Sequence, residues 1–250
     1  MKLINRTILI TGGTSGIGFE AARQLIARGN VVVVTGRDRA RLDDAGSRLP
    51  GLHTIQADAS KPDAIRALHT EVTDRFPALE VLVNNAGIMR KINLLEDRSL
   101  EDLTLEVGVN LDAPMRMTQQ FLPDLVRRPE ALIVNVTSGL AFVPFKIAPV
   151  YSATKAGLHA YTNCLRAQLA GTGVAVVEVA PPGTETPLLR GEFAAEMANQ
   201  KGMPVSELVT RMIHGIEAGH SDVRPGLARV LWLAGRLAPK MMFNQLAKVG

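Results

Sequence analysis

The stretch Thr7-Ile8-Leu9-Ile10-Thr11-Gly12-Gly13-Thr14-Ser15-Gly16-Ile17-Gly18 passes from an apolar run into a glycine cluster, after which Ile17, Ala21, Ala22 and Leu25 recur at helical spacing up to Arg28-Gly29. The order is strand, turn, helix. Val31-Val32-Val33-Val34 follows, β-branched and apolar on both faces, as a parallel strand covered by helices on both sides requires. A first βαβ unit is thus complete within about forty residues.

Working outward, the alternation continues with a strand over Leu52 to Ala57, a helix over Ala64 to Phe76, a strand over Val81 to Val83 and a long helix over Leu100 to Leu122. Ala131 to Val136 then reads as a strand, Tyr151 to Ala170 as a helix and Val174 to Val179 as a sixth strand. Strands alternating with helices imply an α/β fold, a Rossmann-like doubly wound parallel sheet with helices on both faces. After Pro181-Pro182 the pattern changes: residues 187–220 read as a small helical lid, and residues 227–250 as an apolar, basic, helical tail. The 250 residues are expected to form one domain.

Composition narrows the function classes. Hydrophobic residues make up 46% and charged ones 21%, which leaves little room for extended disorder. Lys and Arg exceed Asp and Glu by 28 to 24, but the cations are interspersed with acids and aromatics are few, so no nucleic-acid partner is expected. Cys164 is the lone cysteine and is expected to be a small buried thiol, while the five histidines show no metal-ligand spacing, so no metal site is expected. The N-terminal apolar run is too short for a signal or a transmembrane segment, and the chain reads as cytoplasmic.

The glycine cluster lies where a strand becomes a helix, so the backbone amides around Gly12, Thr14, Ser15, Gly16, Ile17 and Gly18 can face a pyrophosphate. At the end of the second strand, where a carboxylate would bond the ribose 2′-hydroxyl of NAD, stands Thr35-Gly36-Arg37. Arg37 can hold a 2′-phosphate, which makes NADP(H) the preferred cofactor and NAD(H) a possible one. The other reading leaves Arg37 a solvated loop cation and gives the ribose to Asp38. Further on, Tyr151 and Lys155 stand at i and i+4 of a helix, where an ammonium can favour the phenolate of a proton-donating tyrosine. Ser138 follows the fifth strand, at the carboxyl edge of the sheet where ligands bind.

Thr11-Gly12-x-x-x-Gly16-x-Gly18, Asn84-Asn85-Ala86-Gly87, Asn110, Ser138 and the Tyr151-x-x-x-Lys155 pair together resemble the short-chain dehydrogenase/reductase family over residues 5 to 186. The resemblance implies an oxidoreductase that interconverts a carbonyl and an alcohol. It implies Tyr151 as general acid or base, Ser138 holding the substrate oxygen, Lys155 bonding the nicotinamide ribose, and Asn110 anchoring a water. It also implies Asp58 beside adenine, Asn84 as a sheet-stabilising residue, and Asn85, Ala86 and Gly87 approaching the cofactor. Pro181, Thr184 and Thr186 are nicotinamide contacts on the same ground, although Pro182 replaces the usual glycine and removes an N–H there. The Pro-Pro turn, Thr-Gly-Arg and the tail are most similar to a bacterial subgroup that includes the oxidoreductase associated with lipoteichoic-acid D-alanylation. Two alternatives stay open: a cofactor-binding regulator without turnover, and a dehydratase or epimerase.

Met89, Phe142-Val143-Pro144-Phe145 and Leu188-Leu189 are expected near the substrate and favour a small lipophilic carbonyl or alcohol, with Arg90, Lys91 or Arg190 available to select an anion. By analogy with the family, a homodimer or higher homo-oligomer is expected. For the tail three roles stay open, in this order: strengthening a dimer, covering the pocket, and touching a membrane surface.

Overall fold

The computed structural model describes residues 1–198 and 200–248. Asn199 of the expected lid, and Val249 and Gly250 at the end of the expected tail, lie outside the described residues. Seven strands, β1 (Thr7–Thr11), β2 (Val31–Gly36), β3 (Leu52–Gln56), β4 (Leu79–Asn84), β5 (Ala131–Val136), β6 (Val174–Val179) and β7 (Asp222–Val223), form one sheet in the order β3-β2-β1-β4-β5-β6-β7. Every neighbouring pair is parallel. The chain winds outward in one direction from β1 to β3, then crosses back to β4, and this reversal opens a crevice at the carboxyl ends of β1 and β4.

Period-two alternation divides the apolar runs between two faces. Ile8, Ile10, Val32 and Val34 point to one side, against Ala21, Ala22 and Leu25 of α1 (Gly16–Ile26) and Leu42 of α2 (Arg39–Arg48). Leu9 and Val33 point to the other, against Leu68 and Val72 of α3 (Pro62–Arg75) and Met117 and Phe121 further along the chain. Continuous β-branched runs are therefore needed, because neither face of these strands meets water.

Four elements depart from the sequence expectations. Helix α2 is absent from them because only its Leu42 and Ala45 are buried, too few for an apolar stripe. The expected helix over 100–122 is α4 (Leu100–Val107), a π-helical segment Gly108–Asp112 and α5 (Ala113–Val126). Strand β7 is two residues long and pairs with β6, so the sheet has seven strands rather than six. The expected lid shrinks: α7 (Pro187–Arg190) and the turns after it lie over the crevice, whereas α8 (Val205–Glu217) buries Val209, Met212, Ile213 and Ile216 in the core cluster shared with α1. Each such side chain stabilises the fold by about 1.5–3 kcal/mol, the role of a layer helix rather than of a lid.

The remaining elements are a short 3-10 helix (Gly139–Ala141), α6 (Pro149–Gln168), α9 (Leu227–Leu237) and α10 (Pro239–Leu246). Cys164 on α6 is exposed, contrary to the expected buried thiol, because it lies away from the face that buries Leu158, Thr162 and Leu165. Among the described residues no helix is long and apolar enough to cross a membrane, and no group of His, Cys, Asp and Glu could hold a metal ion.

Candidate active site

At the carboxyl end of β1 the chain turns through Gly12 and Gly16, at φ of 69° and 55°. These left-handed angles favour glycine over any residue with a Cβ. Close approach fixes the turn further. A Cβ on Gly12 would stand 2.8 Å from the Ala86 Cα, and one on Gly18 would stand 2.4 Å from the Gly12 carbonyl oxygen. Asn85 latches the end of β4 onto this turn: its amide Nδ2 donates to the carbonyls of Thr11 and Gly12, both at 3.0 Å. The backbone N–H groups of Asn85 and Ala86 donate to Thr11 Oγ1, also at 3.0 Å. What results is a rigid rim around the N-terminus of α1, where an anion is favoured.

At one end of the crevice Arg37 is exposed on the wall, and Asp38 caps α2 by accepting the Arg41 N–H at 3.1 Å. This capping bond occupies one oxygen of the carboxylate that would otherwise compete for a ribose. Arg41, one turn into α2, joins Arg37 on the wall. Sequence reasoning missed Arg41 because the helix that carries it had no periodic signal. Asp58 accepts from the Ser60 N–H at 3.0 Å and from its hydroxyl at 2.7 Å, a local turn that keeps Asp58 on the same wall.

At the other end lie Ser138, Tyr151 and Lys155. The Ser138 Oγ accepts the Leu140 N–H at 3.1 Å. Burial pushes Tyr151 up to about 12, the neighbouring Ser138 hydroxyl opposing it and the nearby Glu106 carboxylate adding to it. Burial also pushes Lys155 down to about 8. Its ammonium donates to the Val136 carbonyl at 2.9 Å and stands 5.6 Å from the centre of the Tyr151 ring.

Asn110 sits fully buried in the π-helical segment. Its Oδ1 accepts the Ile88 N–H at 2.9 Å, and its Nδ2 donates to the Ile88 carbonyl at 2.8 Å and to Thr154 Oγ1 at 3.2 Å. The side chain therefore clamps the loop after β4. A Cβ on Gly87 would come within 3.3 Å of Asn110 Oδ1 and 3.6 Å of Lys155 Nζ, so glycine lets these three close up. A group that the sequence did not single out is Glu106, buried on α4 with Oε1 accepting the Arg90 N–H at 3.0 Å. Its Oε2 has no partner among the described residues, and burial pushes the carboxyl up to about 7.

One cavity of about 610 Å³ joins the two ends. Of the expected site residues Gly12, Thr14, Ser15, Gly16, Ile17, Arg37, Asp58, Asn85, Ala86, Gly87, Ser138, Tyr151, Lys155, Pro181, Thr184 and Thr186 lie on its wall. Gly18 and Asn110 do not; they act from behind it. The Thr184 hydroxyl donates to its own loop at Pro182, whereas Thr186 caps α7 and would lie 3.4 Å from a Cβ on Gly16, across the turn.

Met89, Phe145, Leu188 and Leu189 are on the apolar part of the wall as expected, joined by Leu140 and Met197. Phe142, Val143 and Pro144 are not: Phe142 stacks edge-on against His159 with centroids 5.2 Å apart. The three candidate anion selectors are engaged elsewhere, Arg90 with Asp102 at 2.6 Å, Arg190 with Glu185 at 2.6 Å, and Lys91 with Glu196. Leu227 and Leu231 of α9 and Leu246 of α10 complete the wall, so the tail covers the pocket. Covering the pocket was one of three roles left open for the tail, but none of its residues was named for the wall, since nothing in the sequence says which face of α9 turns inward.

The chain is similar to known proteins. The family profile for short chain dehydrogenases matches residues 6–197. An uncharacterized oxidoreductase, DltE, of Bacillus subtilis strain 168 is 39% identical over 249 residues, covering 98% of both chains. The serine 3-dehydrogenase of Agrobacterium fabrum is 34% identical over 181 residues, 72% of each. Among solved structures, a short chain dehydrogenase from Burkholderia cenocepacia J2315 in complex with NADP has a TM-score of 0.84 at 25% identity, with 98% and 99% of the two chains covered. One from Sphingobium yanoikuyae in complex with NADPH has a TM-score of 0.81 at 27% identity, with 94% and 95% covered.

Proposed function

We propose, from the premise that this chain belongs to the short-chain dehydrogenase family, that it interconverts a lipophilic aldehyde or ketone and the corresponding alcohol with NADP(H), NAD(H) being the weaker alternative. The observation that carries the reading is that Ser138, Tyr151 and Lys155 share one cavity with the glycine turn and the Arg37–Arg41 pair. A dinucleotide suits that cavity: a Cβ at Gly12 or Gly18 would jam the turn, and cations stand where a 2′-phosphate needs them. Relatives crystallised with NADP and NADPH support the same choice.

Gly12, Thr14, Ser15, Gly16 and Ile17 would cradle the pyrophosphate, Asp58 the adenine side, and Asn85, Ala86, Gly87, Pro181, Thr184 and Thr186 the nicotinamide side. When bound, the nicotinamide donates or accepts the hydride. Tyr151 Oη holds the proton that a carbonyl oxygen needs as it gains negative charge, and a phenol at about 12 stays protonated throughout the neutral range. Ser138 orients that oxygen. Lys155 stands ready to bond the cofactor ribose, and Asn110 keeps Gly87 and Ile88 in place beside it. Water would be thinned out by the leucines of the tail. A cytoplasmic homo-oligomer, built on the Tyr151-bearing helix rather than on the tail, belongs to the same proposal.

NADPH oxidation with a panel of aldehydes and ketones tests it. Tyr151→Phe is expected to lower turnover about 10²- to 10⁴-fold while NADPH binding persists. A wild type inert across the panel would favour a regulator. Arg37→Ala is expected to cut the preference for NADP over NAD about ten- to a hundredfold, and an unchanged ratio of affinities would remove Arg37 from the site.

A further inference from the structure

Helix α9 has two apolar faces. Ala228, Leu231 and Gly235 share the inner one, where a Cβ on Gly235 would meet the Phe142 carbonyl at 2.7 Å. Val230, Leu233 and Leu237 share the opposite one and are 54%, 51% and 77% exposed. Met241 of α10, 58% exposed, continues this outer face across the Ala238 turn, so the two helices form one shallow apolar groove open to the outside.

Charge tells what covers it. After Asp222 the sequence carries Arg224, Arg229, Arg236, Lys240 and Lys248 and no acidic residue. The whole chain sums to +4, so residues 1–222 sum to −1 and the positive charge is concentrated in this tail. Arg229 and Arg236 are seven residues apart on one flank of the exposed face, and Arg229 lines the groove itself. A second copy is a poor occupant, because a twofold pairing of this face would set the same cations against each other with no acid to separate them. Arg224 is held by Asp222 at 2.8 Å and Glu178 at 3.4 Å, whereas Arg229 and Arg236 have no ion-pair partner among the described residues. An apolar strip bordered by these two cations on helices too short to span a bilayer matches the plane of an anionic lipid surface.

We propose that α9 and α10 dock the protein on an anionic phospholipid bilayer. Leu227, on the wall of the cavity and 59% exposed, then lies at the contact, so the apolar pocket opens beside the lipid that would deliver a lipophilic ligand. The docking stands without the reductase reading, since it is argued from the outward-facing side chains of α9 and α10 and not from Ser138, Tyr151 or Lys155.

The test is co-sedimentation of the full chain with vesicles of phosphatidylcholine, with and without about one-third phosphatidylglycerol. The expected result is binding to the anionic vesicles that fades toward about 0.5 M salt. Neutralising two cations in R229Q/K240Q is expected to weaken it about thirtyfold. L233E/L237E is expected to abolish it, with thermal unfolding unchanged because both leucines are exposed. Wild-type protein left in the supernatant at low salt, or R229Q/K240Q sedimenting as the wild type does, overturns the proposal. A dimer that L233E/L237E converts to monomer without vesicle binding by the wild type overturns it too, in favour of a contact between copies.

Discussion

Glu106 holds a carboxyl in a dry place with one oxygen bonded and the other without a partner among the described residues. Its carboxyl sits at about 7 against an ordinary 4.5, so the folded state keeps a proton that the unfolded chain releases. Stability is therefore expected to fall as pH rises from about 4.5 to 7, by about 3 kcal/mol in all. Glu106→Gln removes the ionisation and should abolish most of that fall. Urea unfolding of both proteins at pH 5 and pH 8 reads the difference, and parallel curves would show that Glu106 is solvated. Lys155 does not confuse the window, since its lowered value near 8 makes stability rise only between about 8 and 10.5. At this scale the sequence was legible where chemistry needs a motif, as at Ser138, Tyr151 and Lys155. It was silent at Glu106, because a glutamate in an amphipathic stretch reads as surface until its neighbours are known.

The helices divide into those whose residues announce them and those that do not. The αβ alternation could be read from β-branched runs and 3.6-residue periodicity, whereas α2 could not, because it is nearly all polar. The π-helical segment was also hidden: one extra residue in a turn leaves the apolar spacing around Gly108–Asp112 almost unchanged, although it moves Asn110 to where it clamps Ile88. The tail was legible as helical and apolar, but its partner was not. Leu246 packs with the cluster of Phe145, Tyr151, Phe193 and Met197. Leu246→Ala is therefore expected to raise KM for a lipophilic carbonyl about tenfold, leaving kcat and NADPH affinity near wild type. Steady-state kinetics decide this, and a loss confined to kcat would mean that α10 acts on the chemistry rather than on binding.

Across the whole molecule the sheet has two ends with different duties. Its carboxyl edge gathers the glycine turn, Ser138 and the loops of the cavity. Its amino edge is stitched by ions: Arg6 reaches Glu80 at 2.6 Å and Glu130 at 2.7 Å, and Arg28 reaches Glu217 at 2.6 Å. Arg6→Ala is expected to cost about 1–2 kcal/mol in denaturant unfolding, discounted for partial exposure, with kinetic constants unchanged. Changed kinetics would mean that the two ends are coupled. The chain's single tryptophan, Trp232, lies on α9 with Arg224 4.8 Å and Arg236 5.5 Å from its ring centre. All indole fluorescence therefore originates from the element that roofs the pocket. Emission from the unmodified protein becomes a private optical channel for the roof, one in which loosening of the tail and collapse of the sheet can be followed as separate events.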